Sequence, residues 1–175
     1  MSELAKTARI NLLIANYASL TTDGAANMVQ AGIGVLYASR VPNIQFEKYS
    51  TPSFSVYTSI SCDPKYIGEE YSCSLELRDD TGALLDMPDA NNGAKMRLSQ
   101  ILTVQAIQVP NLVIPKGVLW PTYQFAWNFP TGIILEPDKA YSWTVTVDGD
   151  IVATSYFYIG IPRLDNQSTS PIVIG

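Results

Sequence analysis

Residues 141–158, YSWTVTVDGDIVATSYFY, constrain the fold more than any other stretch of this chain. Trp143, Val145 and Val147 alternate with Ser142, Thr144 and Thr146, the period-2 pattern of a strand with one buried face. Asp148-Gly149-Asp150 follows, and Asp and Gly both tolerate the positive φ that tight hairpin turns require. Ile151–Tyr158 then returns with β-branched and aromatic residues. A two-residue and a three-residue turn both fit. The choice decides whether Val152 or Ile151 shares the face of Trp143. The second strand closes near Ile161, so everything from Arg163 onward is expected to be an appendage.

Further strand signals precede the hairpin, separated by turn residues. Arg9–Ser19 runs to a turn at Thr22-Asp23-Gly24, and Asn27–Ser39 contains Gly32 and Gly34, which suggest a bulge or a close backbone approach. Val41–Thr51 reads as a connection, and Ser53–Ser61 as a strand. Tyr71–Arg78 places Tyr71, Cys73, Leu75 and Leu77 on one face and Ser72, Ser74, Glu76 and Arg78 on the other. Asp79-Asp80-Thr81-Gly82 is a turn, and Met87–Lys95 an exposed loop. Ser99–Val109 fits a helical turn or a strand, and its β-branched content and Pro110 favour the strand. Pro110–Pro121, with three prolines, should run extended with polyproline-like character. Thr122–Phe129 is another strand. The prediction is an all-β protein, an antiparallel immunoglobulin-like or jelly-roll-like sandwich of about seven to nine strands with an extended C-terminal tail. At 175 residues it is one domain over residues 9–162, with an N-terminal arm at 1–8 and a tail at 163–175.

The chain has no histidine, which removes His-based general bases, His-assisted nucleophiles and His-ligated metals. Paired carboxylates can work without it. Yet the acidic residues lie in turns or on polar strand faces, where solvation explains them. Asp148 and Asp150 fall short of the oxygen count calcium needs, and Gly32-Ile33-Gly34 lacks the third glycine of a dinucleotide loop. No catalytic residue, metal or cofactor is expected. Net charge is −5 and the eleven basic residues are scattered, so nucleic acid is not an expected partner. The N-terminus lacks the order of a secretory signal and its apolar stretch is too short for a membrane span. Cytoplasmic synthesis is therefore expected, with Cys62 and Cys73 reduced and packed in the interior. A disulfide between neighbouring strands is the alternative.

Two features point towards binding. Charged residues make up only 15% of the chain, against about a quarter in an average domain, which leaves surface free to pack against neighbours. Pro171-Ile172-Val173-Ile174-Gly175 ends it with an apolar, β-prone run. Ile172, Val173 and Ile174 either fold back on the sandwich or add as a strand to a neighbour. Trp120, Tyr123, Trp127 and Trp143 offer stacking surfaces for a sugar, and Trp120 is the one expected to be exposed.

In order along the chain, LLIANYASLTTDGAANMVQAGI, YSCSLELRDDTG, VPNLVIPKGVLWPTYQFAWNF and YSWTVTVDGDIVA resemble a family of β-sandwich proteins of unassigned activity. That family is encoded by actinobacteria and their tailed phages. The resemblance spans residues 9–160, implies a fold and a genomic setting, and carries over no functional residue. The expected function is that of a non-enzymatic virion accessory protein, a capsid decoration or minor capsid protein. It would be held to capsid proteins or to its own copies by sheet edges and terminal arms. A sugar- or host-surface-binding module is the alternative, and a cytoplasmic bacterial protein of another role the second.

Overall fold

The computed structural model describes residues 1–22, 24–42, 48–87, 93–115 and 117–162. The chain enters through α1 (Glu3–Thr7) and forms β1 (Arg9–Leu20), β2 (Ala26–Ala31), β3 (Val35–Tyr37), β4 (Ser39–Arg40), β5 (Tyr49–Ser50) and β6 (Phe54–Ser61). After a 3-10 turn at Pro64–Tyr66 come β7 (Glu70–Asp79), β8 (Arg97–Thr103), β9 (Thr122–Phe129), β10 (Lys139–Val147) and β11 (Asp150–Gly160). One sheet has the order β2-β1-β6-β9 and the other β3-β11-β10-β7-β8, while β4 and β5 make a small ribbon. Eight strands have six residues or more, so the all-β sandwich forms with the expected number of substantial strands. Pairing in the two sheets is antiparallel apart from the three-residue β3, which lies parallel to β11.

The hairpin resolves its own register. Val147 pairs with Asp150, so the turn holds two residues, Asp148 and Gly149, at φ 50° and 83°. Positive φ at both positions is what a type I′ turn requires. The register slips once, between Val145 and Thr146. Val152 is the extra residue and packs on the core beside the Trp143 face, whereas Ile151 opposes Thr146 on the outer face. The hairpin tip is stitched to β7, because Asp148 N donates to Ser72 O (2.9 Å) and Ser72 N donates to Asp148 Oδ1 (3.0 Å).

The core lies between the sheets. Tyr141, Trp143, Val145 and Val147 meet Tyr71, Cys73, Leu75 and Leu77 on the inner face of the larger sheet, as the alternation predicts. Phe129 joins the layers: its ring centroid lies 4.9 Å from that of Phe54 and 5.2 Å from that of Trp143. Such spacings are those of favourable aromatic pairs. Against expectation, the outward residues of β10 are buried too: Ser142, Thr144 and Thr146 are short residues on the central strand of the sheet.

Two expectations change. Asn27–Ser39 is not one strand with a bulge, because the chain leaves the smaller sheet after Ala31 and joins the larger one at Val35. Gly32, at φ 85°, makes the turn possible, and Gly32 N and Ile33 N both donate to Ile14 O at its base. Residues 1–8 are part of the body rather than an arm. Ser2 Oγ caps α1 by accepting from Ala5 N (3.1 Å), Leu4 and Ala5 are buried in the core, and Ser2 N donates to Asp150 Oδ2 (2.7 Å).

A third expectation, that the carboxylates are solvated, fails at Glu76. It sits on the outer face of β7 at 1% exposure, with Arg78 Nη2 2.5 Å and Arg97 Nη2 2.6 Å from its two oxygens. Arg97 reaches it because β8 places Arg97 directly opposite. Removing the carboxylate leaves two guanidinium groups facing each other, so Glu76→Ala is expected to lower stability by about 3 kcal/mol in denaturant unfolding. Gly132 is the described glycine most tightly enclosed by neighbouring backbone. It has φ 68°, and a Cβ there would lie 2.0 Å from Thr51 O, where Thr51 N also donates to Ile133 O (2.9 Å). Gly132→Ala is therefore expected to cost about 3 kcal/mol or more in the same measurement.

Candidate interaction surface

β8 and β9 belong to different sheets, and the crossover at residues 104–121 carries a concentration of exposed apolar side chains. Its departure from β8 is pinned by one phenol: Tyr123 Oη donates to Thr103 O (2.6 Å) and accepts from Gln105 N (2.8 Å). The tip is Val109-Pro110-Asn111-Leu112, closed by Leu112 N donating to Val109 O (3.2 Å), with Asn111 at φ 62°. Proline followed by a left-handed residue is the signature of a type II turn. The extended run expected over Pro110–Pro121 is thus broken, first by this turn and again at Gly117, φ 82°.

The turn pushes its neighbours outward. Leu112 is 61% and Val113 94% exposed, and Ile107, Val109, Val118 and Leu119 are exposed beside them. Ile67, Ile107, Ile114 and Leu119 line a small cavity of about 90 Å³ at the base of the loop. Scattered surface aliphatics are ordinary, but a run of them on one loop makes it a candidate interaction surface.

The sheet edges add to this. β2, an edge of the smaller sheet, contains Ala26-Asn27-Met28-Val29-Gln30-Ala31, without charge or proline. Val29 is exposed on it beside its partner Tyr17 on β1. β8, an edge of the larger sheet, carries Ile101 in the open. Edges are commonly blunted by lysine, proline or inward charge, and β2 carries none of these.

Of the residues singled out from sequence, Trp120 lies in this same loop. It is half-buried, and the Arg9 guanidinium sits 4.1 Å from its ring centroid, a cation–π contact that covers one face. Trp120 is therefore not the open stacking platform expected. Trp143 is buried in the core, and Trp127 is half-buried against Phe125. Ile172, Val173 and Ile174 lie outside the described residues. Leu112 and Val113, the most prominent residues of the loop, were passed over in the sequence, although three adjacent aliphatics between Asn111 and Pro115 break every amphipathic pattern.

The acidic turns do structural work. Asp79 Oδ1 accepts from Thr81 Oγ1, Thr81 N and Ala83 N, and these bonds, Thr81's hydroxyl foremost, hold its carboxyl below the usual carboxylate range. Asp148 and Asp150 accept from Ser72 N and Ser2 N. Among the described residues no three His, Cys, Asp or Glu side chains are gathered as a cation site. Among them, too, no helix is long and apolar enough to cross a membrane. No family model matches the chain, and no curated protein matches it.

Cys62 and Cys73 are free, buried thiols, and Cys62 Sγ donates to Tyr71 Oη (3.3 Å). Burial raises the Cys62 thiol above its usual range and pushes Cys73 up to about 11. Because the thiolate is the reactive form, neither cysteine is expected to react with a disulfide reagent at pH 8 in the native protein. Both are expected to react within the mixing time once guanidinium unfolds the chain, as a thiol assay would record.

Proposed function

We propose that this chain is a non-enzymatic accessory protein of an assembly, a capsid decoration or minor capsid protein of a tailed-phage virion. What carries the reading is the exposed aliphatic tip at Leu112 and Val113, held in place by a hydrogen-bonded turn. A tip that is already shaped gives up little conformational entropy on docking, so its apolar area is used efficiently. Full burial of a Leu or Val side chain is worth about 1.5–3 kcal/mol, so the two side chains of one tip contribute usefully when multiplied over a symmetric shell. The unguarded β2 edge supplies main-chain donors and acceptors for strand addition, and Ile172, Val173 and Ile174 are the segment of this chain best suited to supply such a strand. The resemblance over residues 9–160 supports a phage or prophage setting.

The test is occupancy of purified virions from a phage that encodes the chain, read by quantitative mass spectrometry against the major capsid protein. A fixed ratio is expected for the natural chain. Leu112→Asp combined with Val113→Asp should leave the circular dichroism spectrum unchanged and strip the protein from the particles, because both positions are solvent-exposed. Absence of the natural chain from virions, or full occupancy by the double variant, overturns the proposal.

A further inference from the structure

The outer face of the larger sheet contains a trough, of about 400 Å³, whose lining divides into three chemically distinct parts. The pairing register explains why. Along β10 the outward residues are small, Ala140, Ser142 and Thr144, while most of their partners on β11 and β7, Tyr158, Tyr156, Arg78 and Glu76, are long. Ser142 lies between Tyr156 on one side and Arg78 on the other, and Thr144 lies between Thr154 and Glu76. A row of short residues flanked by long ones leaves a channel along the central strand. Its volume falls within the range of small-molecule sites, about 300–1,000 Å³.

The floor is hydroxyl-bearing: Ser142 and Thr144 lie buried at its base and Thr154 is exposed at its side. One wall is apolar and aromatic: Tyr156, which is 74% exposed, and Ile151, which the bulge at Val152 turns outward. The opposite wall carries Arg78 and the Asp79-Asp80 turn. An exposed aromatic ring beside a hydroxyl floor is matched by a molecule with an apolar C–H face and a rim of hydroxyl groups. Charge decides against an anion, because Arg78 and Arg97 both face Glu76, and Asp79 and Asp80 add negative charge beside them. Arg78 Nη1 is also engaged, donating to Gly82 O (2.8 Å), so the guanidinium is held as a fixed wall of the trough.

We infer that this trough is a binding site for a neutral saccharide, with the Tyr156 ring stacked on the sugar's C–H face and the exposed Thr154 hydroxyl and Asp80 carboxylate available to its hydroxyl groups. The site is distinct from Trp120 and shares no residue with the loop at 104–121, so it stands or falls independently of the assembly role. A virion protein bearing it would place a sugar-binding surface on the particle while the apolar loop holds the particle.

The experiment is a two-dimensional ¹H–¹⁵N NMR titration of the full chain with methyl glycosides of glucose, galactose, mannose, rhamnose and N-acetylglucosamine, with sodium sulfate as the anion control. Saturable shifts confined to the amides of Ser142, Thr144, Thr154 and Tyr156 are expected with at least one sugar and not with sulfate. Tyr156→Ala, at an exposed position, should weaken that binding about tenfold with the unfolding midpoint unchanged. Ser142→Gln, which fills the floor, should abolish it. Three results overturn the inference: no saturable shift at these amides with any of the sugars, an equal response to sulfate, or sugar binding indifferent to both substitutions.

Discussion

Phe129 is the residue on which the two layers depend. Its ring contacts Phe54 within its own sheet and Trp143 across the interface, so the layers are joined by overlapping aromatic area at one end of β6 and β9. Trp143 is buried so completely that its indole Nε1 finds no partner among the described residues. An unpaired buried N–H costs about 1–3 kcal/mol. Burying an indole's apolar surface of about 150–250 Å² returns about 4–6 kcal/mol. The apolar term wins, and a ring lacking its hydrogen bond is stable at that position.

Polarity on this protein does two separate jobs. On the turns it is solvated or engaged in capping, as at Asp79, Asp148 and Asp150. On the outer face of the larger sheet it is buried, because a strand of serines and threonines lies low between the longer residues Tyr156, Arg78 and Glu76 of its neighbours. The Arg78–Glu76–Arg97 cluster is the extreme case, a carboxylate withdrawn from water and held by two cations. Excellent geometry is what allows such a group to be buried at all, since desolvation of a charge costs several kcal/mol. The same arrangement fixes one wall of the trough, so its rigidity is a by-product of a structural ion cluster.

Much of the fold was legible because strands report themselves through period two. The β7 and β10 faces read correctly residue by residue, and the Asp-Gly turn was visible in its own chemistry. Glu76 was not legible, because its burial depends on Arg97, a partner brought opposite only by the β7–β8 register. The buried outer face of β10 was hidden for the same reason: Ser and Thr look solvated until the neighbours' lengths are known. The switch of sheets at Gly32 was read as a local irregularity, since a glycine signals a change of direction without saying where the chain goes next. The crossover loop offered prolines, which suggest extension, and only the pairing of Pro110 with a left-handed Asn111 turns that into a corner. In the site the apolar sequence NLVIP was present but unread, because no periodicity accompanied it.

The bond from Ser2 N to Asp150 joins residues 148 positions apart, so the N-terminal segment is seated only when the hairpin is in place. α1 packs against a hairpin that is among the last of the described residues to be synthesised, and β1 turns its apolar face towards a sheet built mostly from residues beyond 70. Chains dominated by such distant pairings fold slowly. In the folded structure Ile10, Leu12 and Ile14 are therefore covered by partners far along the chain. Until such distant segments meet, apolar strand surface of this kind is open to association with other copies.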